Sequence, residues 1–311
     1  MTKGPPILCV GQLVADVVVR PVDRLPGRGE AMLVEDLQWV SGGCAANTAG
    51  VLAKLGADAR IAALVGTDTP GDMVLADVAR CGVDVSGVRR SSAVPTSAVV
   101  VLVDSRGERS FFYRAGGSEA LALDDAVEPL RWGVQFVHVG GTMKLYSLDL
   151  ARFLEEAKSH GCTTSLDTDW DVSGQWMQRL GPILSRVDLL LTNREEAHEL
   201  TGLADLEGMA RSLLERGPRT VVIKCGSDGA VLAKAGAVRA FPAYDVKVVD
   251  TTCAGDAFVA GFLYGLARGW PEERAVELGN AAGALATTEV SHRGVRSLEM
   301  VMRLIEKGPA R

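Results

Sequence analysis

The feature that most constrains the fold is the alternation of short apolar segments with longer amphipathic segments along the chain. Ile7–Val10, Arg60–Val65 and Thr220–Lys224 have the length of strands and are apolar at most positions. Leu148–Ser159 and Pro271–Ala286 have the apolar period of helices. Strands that are apolar on both faces are typical of a parallel sheet covered by helices on each side. The sequence therefore predicts an α/β fold of three layers, in which helices flank a mainly parallel sheet.

The same rhythm continues along most of the chain. Further predicted strands are Gln135–Val139, Thr163–Leu166, Val187–Leu191 and Val246–Val249, and further predicted helices are Ala45–Leu55, Gly71–Arg80, Arg194–Thr201, Leu206–Glu215 and Gly255–Ala267. The length of 311 residues would admit two domains. Because no repeat, low-complexity tract or long linker interrupts the pattern, we predict a single domain over residues 1–311.

Two regions depart from this rhythm. Val17–Val40 and Val99–Arg114 alternate apolar and polar residues without a long helix between the apolar segments. A two-residue period is typical of strands that are buried on one face only. We therefore predict a small layer of antiparallel strands, set apart from the main sheet, that forms a lid from residues of about 12–40 and 95–116.

Composition excludes several classes of protein. The chain has 33 Lys and Arg against 39 Asp and Glu, a formal charge of −6, which argues against a nucleic-acid partner. No apolar run reaches the length of about 18 residues that a membrane span needs, so no membrane partner is expected. The six cysteines contain no C-x-x-C pair, and the first residues have no signal-peptide pattern. We therefore expect a cytoplasmic protein with reduced thiols and no zinc site.

The first cluster of chemically informative residues is the segment from Gly42 to Ala49. Its two glycines, Gly42 and Gly43, allow a tight backbone turn that approaches a ligand closely. Asn47 follows on the first turn of the predicted helix and offers two donors and one acceptor. The residues alone leave two interpretations open, a ligand-binding loop and an ordinary glycine turn with a local hydrogen bond.

The second cluster is Asp250-Thr251-Thr252-Cys253-Ala254-Gly255-Asp256, which lies between a predicted strand and a predicted helix. The unpaired N–H groups and the positive dipole end of such a helix favour an anion. Asp256 would repel a phosphate there unless it takes a proton from a nucleophile beside that phosphate. It could equally stabilise the helix as a residue of its first turn, so both interpretations stay open.

Together, the two clusters resemble the signature motifs of the ribokinase-like carbohydrate kinases of phosphofructokinase B type. The first is similar to the glycine-pair motif of the family and continues with Gly56 and Gly66, and the second resembles DTxGAGD and is followed by Phe258, Gly261 and Phe262. Other matches follow in family order: Asp16 after the first strand, Asn193–Glu196 as the NxxE motif, Lys224–Gly229 as the nucleotide turn, and Asn280. The resemblance covers almost the whole chain. No GxxxxGK[ST] segment is present, which sets the chain apart from P-loop kinases.

The resemblance implies an ATP-dependent sugar kinase with a ribokinase-like fold. Such an enzyme would transfer the γ-phosphoryl group of ATP to a hydroxyl of a small neutral sugar, ribose-like or fructose-like. Asp256 would be the general base. Ala254, Gly255 and Asp256, preceded by Cys253, would form the anion hole for the transferring phosphoryl group.

The resemblance also implies binding roles, a cofactor and an assembly. Asp16, Gly42, Gly43 and Asn47 would bind the sugar; Asn193, Lys224, Gly226, Gly229, Thr251 and Asn280 would bind ATP; Glu196 would hold Mg²⁺ through water; and Asp250, Thr252 and the loop of residues 287–297 would hold a monovalent cation such as K⁺. Arg114 lies on a predicted lid strand, where it would contact the sugar or remain at the rim. A homodimer formed through the lid is expected.

Three departures from the family pattern qualify these expectations. Cys253 stands where the family has glycine, so a positive φ there would strain the chain. Cys44 stands where ribokinases proper have lysine, which weakens a strict ribokinase assignment. The segment Asp167–Asp171 has acids at the Asn and Arg positions of a D-x-N-x-R pattern. Because added carboxylates repel an acidic sugar, we expect a neutral one.

Three other activities stay open at this point. A nucleoside kinase would need a stacking aromatic residue in the lid, such as Phe112 or Tyr113. A kinase of a sugar phosphate would need a basic cluster near the lid, for which the candidates are Arg24, Arg28, Arg106 and Arg109. A catalytically silent sugar- or nucleotide-binding relative is disfavoured because Asp256 is retained. A Rossmann dehydrogenase is excluded because no GxGxxG segment follows the first strand.

Overall fold

The computed structural model describes residues 4–290 and 293–309. The strands are β1 Ile7–Gly11, β2 Val14–Arg20, β3 Asp36–Gly42, β4 Ala59–Gly66, β5 Asp84–Ser91, β6 Ala98–Val103, β7 Arg109–Arg114, β8 Phe136–Gly140, β9 Thr163–Asp167, β10 Leu189–Asn193, β11 Thr220–Lys224, β12 Ala230–Lys234 and β13 Ala237–Phe241. The α-helices are α1 Cys44–Lys54, α2 Thr69–Arg80, α3 Gly117–Ala120, α4 Leu123–Ala126, α5 Leu150–Ser159, α6 Trp176–Leu180, α7 Arg194–Thr201, α8 Leu206–Leu214, α9 Ala254–Ala267, α10 Glu272–Ala286 and α11 Leu298–Lys307.

The main sheet has nine strands over the described ranges, in the order β13-β12-β11-β10-β9-β8-β1-β4-β5. Every pairing from β5 to β11 is parallel, and the two pairings at the β13 edge are antiparallel. The prediction of a mainly parallel sheet is confirmed. The carboxyl ends of seven parallel strands therefore lie along one edge, where ligands bind in open α/β sheets.

Helices cover both faces of this sheet, which confirms the three-layer arrangement. One apolar core packs under α1, α2, α9, α10 and α11 and has Phe262 fully buried within it. A second core packs under α4 to α8 and has Phe153 fully buried within it. Strand side chains alternate between the two cores, since Cys9 faces the first and Leu8 the second.

The small sheet is separate and has the order β3-β2-β6-β7. Pairs β2–β3 and β6–β7 are antiparallel, as predicted, whereas the central pair β2–β6 is parallel. β2 follows directly from the end of β1, and β6 returns to its side only after β4, α2 and β5. The two antiparallel pairs therefore lie side by side in one layer.

The structure corrects some of the predicted elements. Val246–Val249 was expected to be a strand, and this prediction is wrong. The N–H groups of Val249 and Asp250 instead donate to the carbonyl oxygen of Thr287 at 2.7 and 3.1 Å, so a loop contact holds the segment. Among the described residues, no helix is both long enough and apolar enough to cross a bilayer.

Candidate active site

A cavity of about 1060 Å³ lies between the small sheet and the carboxyl edge of the main sheet. Eight of the predicted site residues line it: Asp16, Gly43, Asn47, Asp250, Thr251, Thr252, Cys253 and Asp256. Its wall on the small-sheet side is apolar and includes Val18, Val99, Val101 and Phe111. An apolar concavity with a few convergent polar groups is typical of a small-molecule site.

Two helices bring the two sequence clusters together. α1 and α9 pack against each other with both amino ends at the cavity. Asn47, on the first turn of α1, donates from Nδ2 to Asp256 Oδ2 at 2.8 Å. The Thr48 hydroxyl donates to the Asp256 carbonyl oxygen at 3.3 Å. Segments 209 positions apart in sequence thus share one polar centre.

The Asp256 side chain is bonded to a neighbouring helix rather than to the first N–H groups of its own helix. Its side chain bonds to Asn47 on the neighbouring helix, and the residue is 9% exposed and lines the cavity. Burial raises the pKa of Asp256 above that of an ordinary carboxyl group, and the hydrogen bond from Asn47 and the charge of Lys224 offset part of that rise. A carboxylate made more basic in this way suits a general base.

Gly42 and Gly43 bring the backbone close to Asp16. A Cβ atom on Gly42 would lie 2.1 Å from Asp16 Oδ2, so the carboxylate fills the space that a side chain would need. Gly43 has φ 94°, and its Cβ would lie 2.5 Å from the Gln12 carbonyl oxygen. Only glycine fits at position 43, because the φ is positive and the Gln12 backbone is close, whereas a side chain at position 42 would displace the Asp16 carboxylate. Gly42 therefore leaves room for the Asp16 carboxylate at the cavity wall, beside the start of α1.

Lys224 supplies a buried positive charge next to the predicted anion hole. Its ammonium group lies 2.6 Å from Asp167 Oδ1, and a Cβ on Gly255 would lie 3.3 Å from Nζ. Burial opposes the charge, but the nearby carboxylates of Asp167, Glu196 and Asp256 outweigh it and raise the pKa of Lys224. The ammonium group therefore stays protonated beside the backbone of α9.

Cys253 has the positive φ that, according to the sequence analysis, would strain the chain at this position. Its φ of 64° is positive, and among the described residues it is the only residue other than glycine with a positive φ. The left-handed conformation costs an L-residue about 1–2 kcal/mol. Cys253 is the residue that immediately precedes α9, so the strain lies at the predicted anion hole.

We expect Cys253→Gly to raise the free energy of unfolding by about 0.5–1 kcal/mol, because glycine adopts a positive φ without the Cβ clash. Urea unfolding measures this change. Cys225→Gly is the matched control, since Cys225 has an ordinary φ of −117° and should lose stability when replaced. A shift in the same direction for both variants would contradict the strain at Cys253.

Asn193 and Glu196 form a capping box at the start of α7. Asn193 Oδ1 accepts from the Glu196 N–H at 2.8 Å, and Glu196 Oε2 accepts from the Asn193 N–H at 3.1 Å. The Thr168 hydroxyl also donates to Glu196 Oε2 at 2.5 Å. The NxxE motif therefore stabilises the start of α7, in addition to any contact with ATP or Mg²⁺. Neither residue lines the large cavity.

The other predicted nucleotide residues also lie outside the large cavity. Gly226 and Gly229 form the turn between β11 and β12. Asn280 is buried in α10 and donates from Nδ2 to the Pro242 carbonyl oxygen at 3.0 Å, so it ties that helix to the segment after β13. Gly226 and Gly229 thus follow Lys224 at the end of β11, Asn280 lies near the end of β13, and all three are apart from the predicted sugar loop.

Arg114 does not line the cavity, so its position favours the rim over contact with the sugar, the two alternatives that the sequence left open. Its guanidinium donates to the Thr96 carbonyl oxygen at 2.8 Å and lies 3.8 Å from Asp68. Side chains alternate along a strand, so Arg109, Phe111 and Tyr113 of β7 face the cavity while Arg114 faces away. The two-residue period of this strand could have made the distinction from sequence.

Arg109 is a site residue that the sequence analysis named only as one of four candidate arginines. Its Nη2 donates to Thr251 Oγ1 at 3.1 Å and its Nη1 donates to Thr252 Oγ1. Nη1 also lies 3.6 Å from Asp250 Oδ1. An arginine of the small sheet therefore reaches across the cavity to the loop that begins α9. Arg106 also lines the cavity, whereas Arg24 and Arg28 do not.

Lys144 and Gln12 are cavity residues that the sequence analysis missed. Lys144 Nζ lies 2.5 Å from Asp169 Oδ2, and Gln12 Nε2 donates to the same oxygen at 3.2 Å. Asp171 accepts from the Ser173 hydroxyl at 2.6 Å. The carboxylates of Asp169 and Asp171, which replace Asn and Arg of the family pattern, are therefore both held by partners within the protein. Their charge alone does not decide whether the acceptor is a neutral sugar.

The aromatic residues proposed for nucleoside stacking lie on opposite faces of β7. Tyr113 lines the cavity and its hydroxyl donates to Glu119, whereas Phe112 does not line it. Phe111 also lines the cavity. Because Tyr113 is tied by its hydroxyl, Phe111 is the aromatic side chain of this strand that is best placed to meet a ligand.

Comparison with known proteins gives a consistent result over the whole chain. The model of the pfkB family carbohydrate kinases matches residues 5–297. The chain is 33% identical to an ATP-dependent ribose-1-phosphate kinase of Halopiger xanaduensis, over 97% of this chain and 98% of that protein. It is 35% identical to a fructokinase of Klebsiella pneumoniae, over 86% of this chain and 90% of that protein.

Solved structures agree with this result. An Arabidopsis thaliana ribokinase complexed with ribose and ATP superposes with a TM-score of 0.84 at 25% identity, covering 98% of this chain and 99% of that one. The predicted family is therefore confirmed by sequence, and the predicted ribokinase-like fold by structure. The chain belongs to the pfkB family of carbohydrate kinases.

Proposed function

We propose that the protein is an ATP-dependent sugar kinase that uses Asp256 as its general base. The observation that carries this proposal is the position of Asp256, whose buried carboxylate faces the cavity from the first turn of α9. Asn47 holds that carboxylate from one side, and Lys224 lies beside the adjacent Gly255 from the other. The Asp256 carboxylate, as the base, would therefore lie next to a positively charged site for the phosphoryl group.

The sugar would bind between Asp16 and Asn47. Asn47 Oδ1 is buried and accepts no hydrogen bond from the residues that the structure describes. An unsatisfied buried acceptor costs about 1–3 kcal/mol, and a sugar hydroxyl that donates to it would remove that cost. The carboxylate of Asp16 would accept further hydroxyl protons beside the backbone of Gly42 and Gly43. These contacts would orient the reacting hydroxyl toward Asp256.

Phosphoryl transfer would follow from this placement. As the sugar oxygen attacks the γ-phosphorus of ATP, its proton passes to Asp256 and the bond from phosphorus to the ADP oxygen breaks. The N–H groups of Gly255 and Asp256 would donate to the transferring oxygens, joined by that of Ala254 if it exchanged its 3.3 Å contact with the Thr251 carbonyl oxygen for the phosphoryl group, and Lys224 would balance their charge. Cys253 would contribute through its backbone, because its left-handed turn leads into these donors.

ATP would lie along the carboxyl edge near Asn193, Lys224, Gly226, Gly229, Thr251 and Asn280. Within residues 4–290 and 293–309, no group of three His, Cys, Asp or Glu is arranged to hold a metal directly. The fit is instead to Mg²⁺ that keeps its waters and enters on the phosphates. Glu196 would hold one such water through Oε1, since its contacts with described residues use Oε2. We expect a cytoplasmic enzyme, where ATP is available.

The acceptor that we favour is a small neutral sugar. Asp16, Asn47 and Lys144 line the cavity and are all suited to hydroxyl groups. A sugar phosphate is the second candidate, because Arg106 and Arg109 also line the cavity and the Halopiger relative is a ribose-1-phosphate kinase. Phe111 gives weaker support to a nucleoside acceptor.

ADP release from Mg-ATP with a panel of pentoses, hexoses, sugar phosphates and nucleosides tests this function. We expect turnover with at least one neutral pentose or ketohexose. Turnover with sugar 1-phosphates alone would favour the second candidate. Absence of turnover with every acceptor would contradict the kinase and favour a silent binding protein.

Acceptor binding should depend on pH through Asp16. Burial raises the pKa of this carboxyl to about 7. Only the ionised form accepts hydroxyl protons on both oxygens, so the KM for the sugar should rise by about tenfold per pH unit below that pKa. Steady-state kinetics between pH 5.5 and 8.5, roughly spanning this pKa, would show the rise in wild type and a flat profile in Asp16→Asn. An unchanged profile in the variant would exclude Asp16 as the cause.

We also propose that the chain is a single kinase domain over residues 1–311, in which the small sheet is a lid contributed by about residues 12–40 and 95–116. Three observations support this role: the sheet forms one wall of the cavity, its strands belong to two separate stretches of chain, and Arg109 reaches from it to the loop before α9. A lid of this kind would exclude water that could otherwise accept the phosphoryl group.

The outer face of the lid supports a homodimer. Trp39, Val17, Val100 and Phe112 are paired in register across all four strands, and Trp39 and Phe112 are each 57% exposed. A continuous exposed apolar row is typical of a surface that packs against another protein. Equilibrium sedimentation should give twice the 32.8 kDa of one chain, and Trp39→Asp should give the single mass. A single mass for wild type would exclude the dimer.

A further inference from the structure

Three of the oxygens expected to hold a monovalent cation are already bonded within the described part of the protein. Asp250 Oδ1 accepts from the Thr252 N–H at 2.9 Å and from the Thr252 hydroxyl at 2.6 Å. The Thr287 carbonyl oxygen accepts two backbone N–H groups, from Val249 and Asp250. Ser297 Oγ caps α11 by accepting from the Met300 N–H. Residues 291 and 292 of the predicted cation loop lie outside the described ranges.

A positive charge is nevertheless present at this place. Arg109 Nη1 donates to Thr252 Oγ1 and lies 3.6 Å from Asp250 Oδ1, while Nη2 donates to Thr251 Oγ1 at 3.1 Å. Three consecutive side chains of the loop thus face one guanidinium. A guanidinium carries the same unit charge as K⁺ and stays charged at any physiological pH. In the described part of the chain, the predicted cation residues therefore already have a positive charge beside them, that of Arg109.

We propose that Arg109 replaces the monovalent cation, so that the kinase does not need K⁺. This proposal rests on the proposed kinase function. The guanidinium holds Asp250, Thr251 and Thr252 in place, and these residues lead directly into the Cys253 turn and the first N–H groups of α9. Arg109 is therefore a positioning residue, which acts on the phosphoryl group through the loop that it orders.

Because Arg109 lies on the small sheet, its contact with the loop before α9 depends on the position of that sheet. A free cation could bind the loop whether the lid is open or closed. Arg109 belongs to β7 of the small sheet, so its charge reaches the loop only when the lid lies over the cavity. The loop before α9 is thereby completed by the same movement that excludes water from the sugar.

Initial rates with Mg-ATP and the preferred sugar test the proposal when K⁺ is exchanged for tetramethylammonium at about 0.1 M ionic strength. We expect less than a twofold change in kcat for wild type. Arg109→Met should lose at least about tenfold in kcat in tetramethylammonium, because the anion loop loses its ordering charge. K⁺ should restore part of that loss. Arg303→Ala, which removes an exposed arginine paired with Glu299 on α11, should behave as wild type.

Thermal unfolding gives a readout that does not depend on turnover. K⁺ should raise the unfolding temperature of Arg109→Met relative to tetramethylammonium and leave that of wild type unchanged. Activation or stabilisation of wild type by K⁺ would overturn the proposal. An Arg109→Met variant with the same kcat and the same unfolding temperature in K⁺ as in tetramethylammonium would also overturn it. If the protein turned over no acceptor, the kinase function would fail, while the thermal measurement would still decide the role of Arg109.

Discussion

Replacing Asp256 by asparagine should lower kcat by about 10²–10⁴-fold, the usual contribution of a positioned general base. Asparagine keeps the shape of the side chain but cannot take the proton of the attacking hydroxyl. The KM values for ATP and sugar should change little, because Asp16, Asn47 and Lys224 remain. Steady-state kinetics measures this split between kcat and KM.

Stability provides the control for this variant. Burial raises the pKa of Asp256, so the folded protein holds the proton more tightly than the unfolded chain does. The stability linked to that proton is present at low pH and is lost as pH rises through the folded pKa. Asp256→Asn should therefore unfold no earlier than wild type at pH 8, a value roughly at the alkaline end of the usual stability range. Asp245→Asn, at an exposed carboxyl, should keep full activity; a comparable loss there would show an indirect effect.

Replacing Lys224 by methionine should destabilise the fold by about 3–5 kcal/mol, because it leaves buried carboxylates without their partner. The side chains of Lys224 and Asp167 are only 13% and 4% exposed, and Nζ lies 2.6 Å from Asp167 Oδ1. Urea unfolding measures the loss. Lys234→Met is the matched control: its ion pairs with Glu272 and Glu273 are more exposed, so it should cost no more than about 1 kcal/mol.

A second substitution separates the structural role of Lys224 from its role in the site. Asp167→Asn combined with Lys224→Met removes both charges, so part of the lost stability should return. Activity should not return, because the double variant still lacks the ammonium group beside Gly255. Equal stability of Lys224→Met and Lys234→Met would contradict the buried pair, and a fully active double variant would contradict the phosphate role.

The apolar strands of the main sheet could be predicted because burial on both faces leaves no polar positions. Ile7–Gly11 is buried at every residue, and its sequence is correspondingly apolar. β5 was missed because it is an edge strand with several exposed charged positions, and β13 because it is the opposite edge strand and is largely exposed. β12 is apolar and buried at four of its five residues, so its sequence did permit a strand prediction. Edge strands have fewer neighbours, so their sequences have a weaker apolar pattern.

The site was predictable where its residues belong to contiguous motifs. Gly43, Asn47 and Asp256 follow from the two clusters, and the structure brings them together. Arg109 could not be paired with Thr252 in this way, because the contact joins residues 143 positions apart and depends on how the small sheet lies over α9. Lys144 likewise reaches the site only because β8 pairs with β9, which brings its ammonium group to Asp169.

The overall charge of −6 is compatible with a phosphate-binding site, because positive charge is concentrated at that site. An acidic protein must bind a nucleotide that is itself a polyanion. Here the positive field is local: Lys224 lies beside the backbone of Gly255, Arg109 of β7 contacts the loop that precedes α9, and the amino end of α9 adds its dipole. Net charge therefore argues against a nucleic-acid partner but not against a phosphate site.

Transfer of labelled γ-phosphate from ATP tests the central claim most directly. Wild type and Asp256→Asn are incubated with Mg-ATP and the preferred sugar, and labelled sugar phosphate and ADP are both quantified. We expect equal amounts of the two products from wild type and almost none of either from the variant. ADP formed without sugar phosphate, or transfer by Asp256→Asn at a near-normal rate, would contradict it.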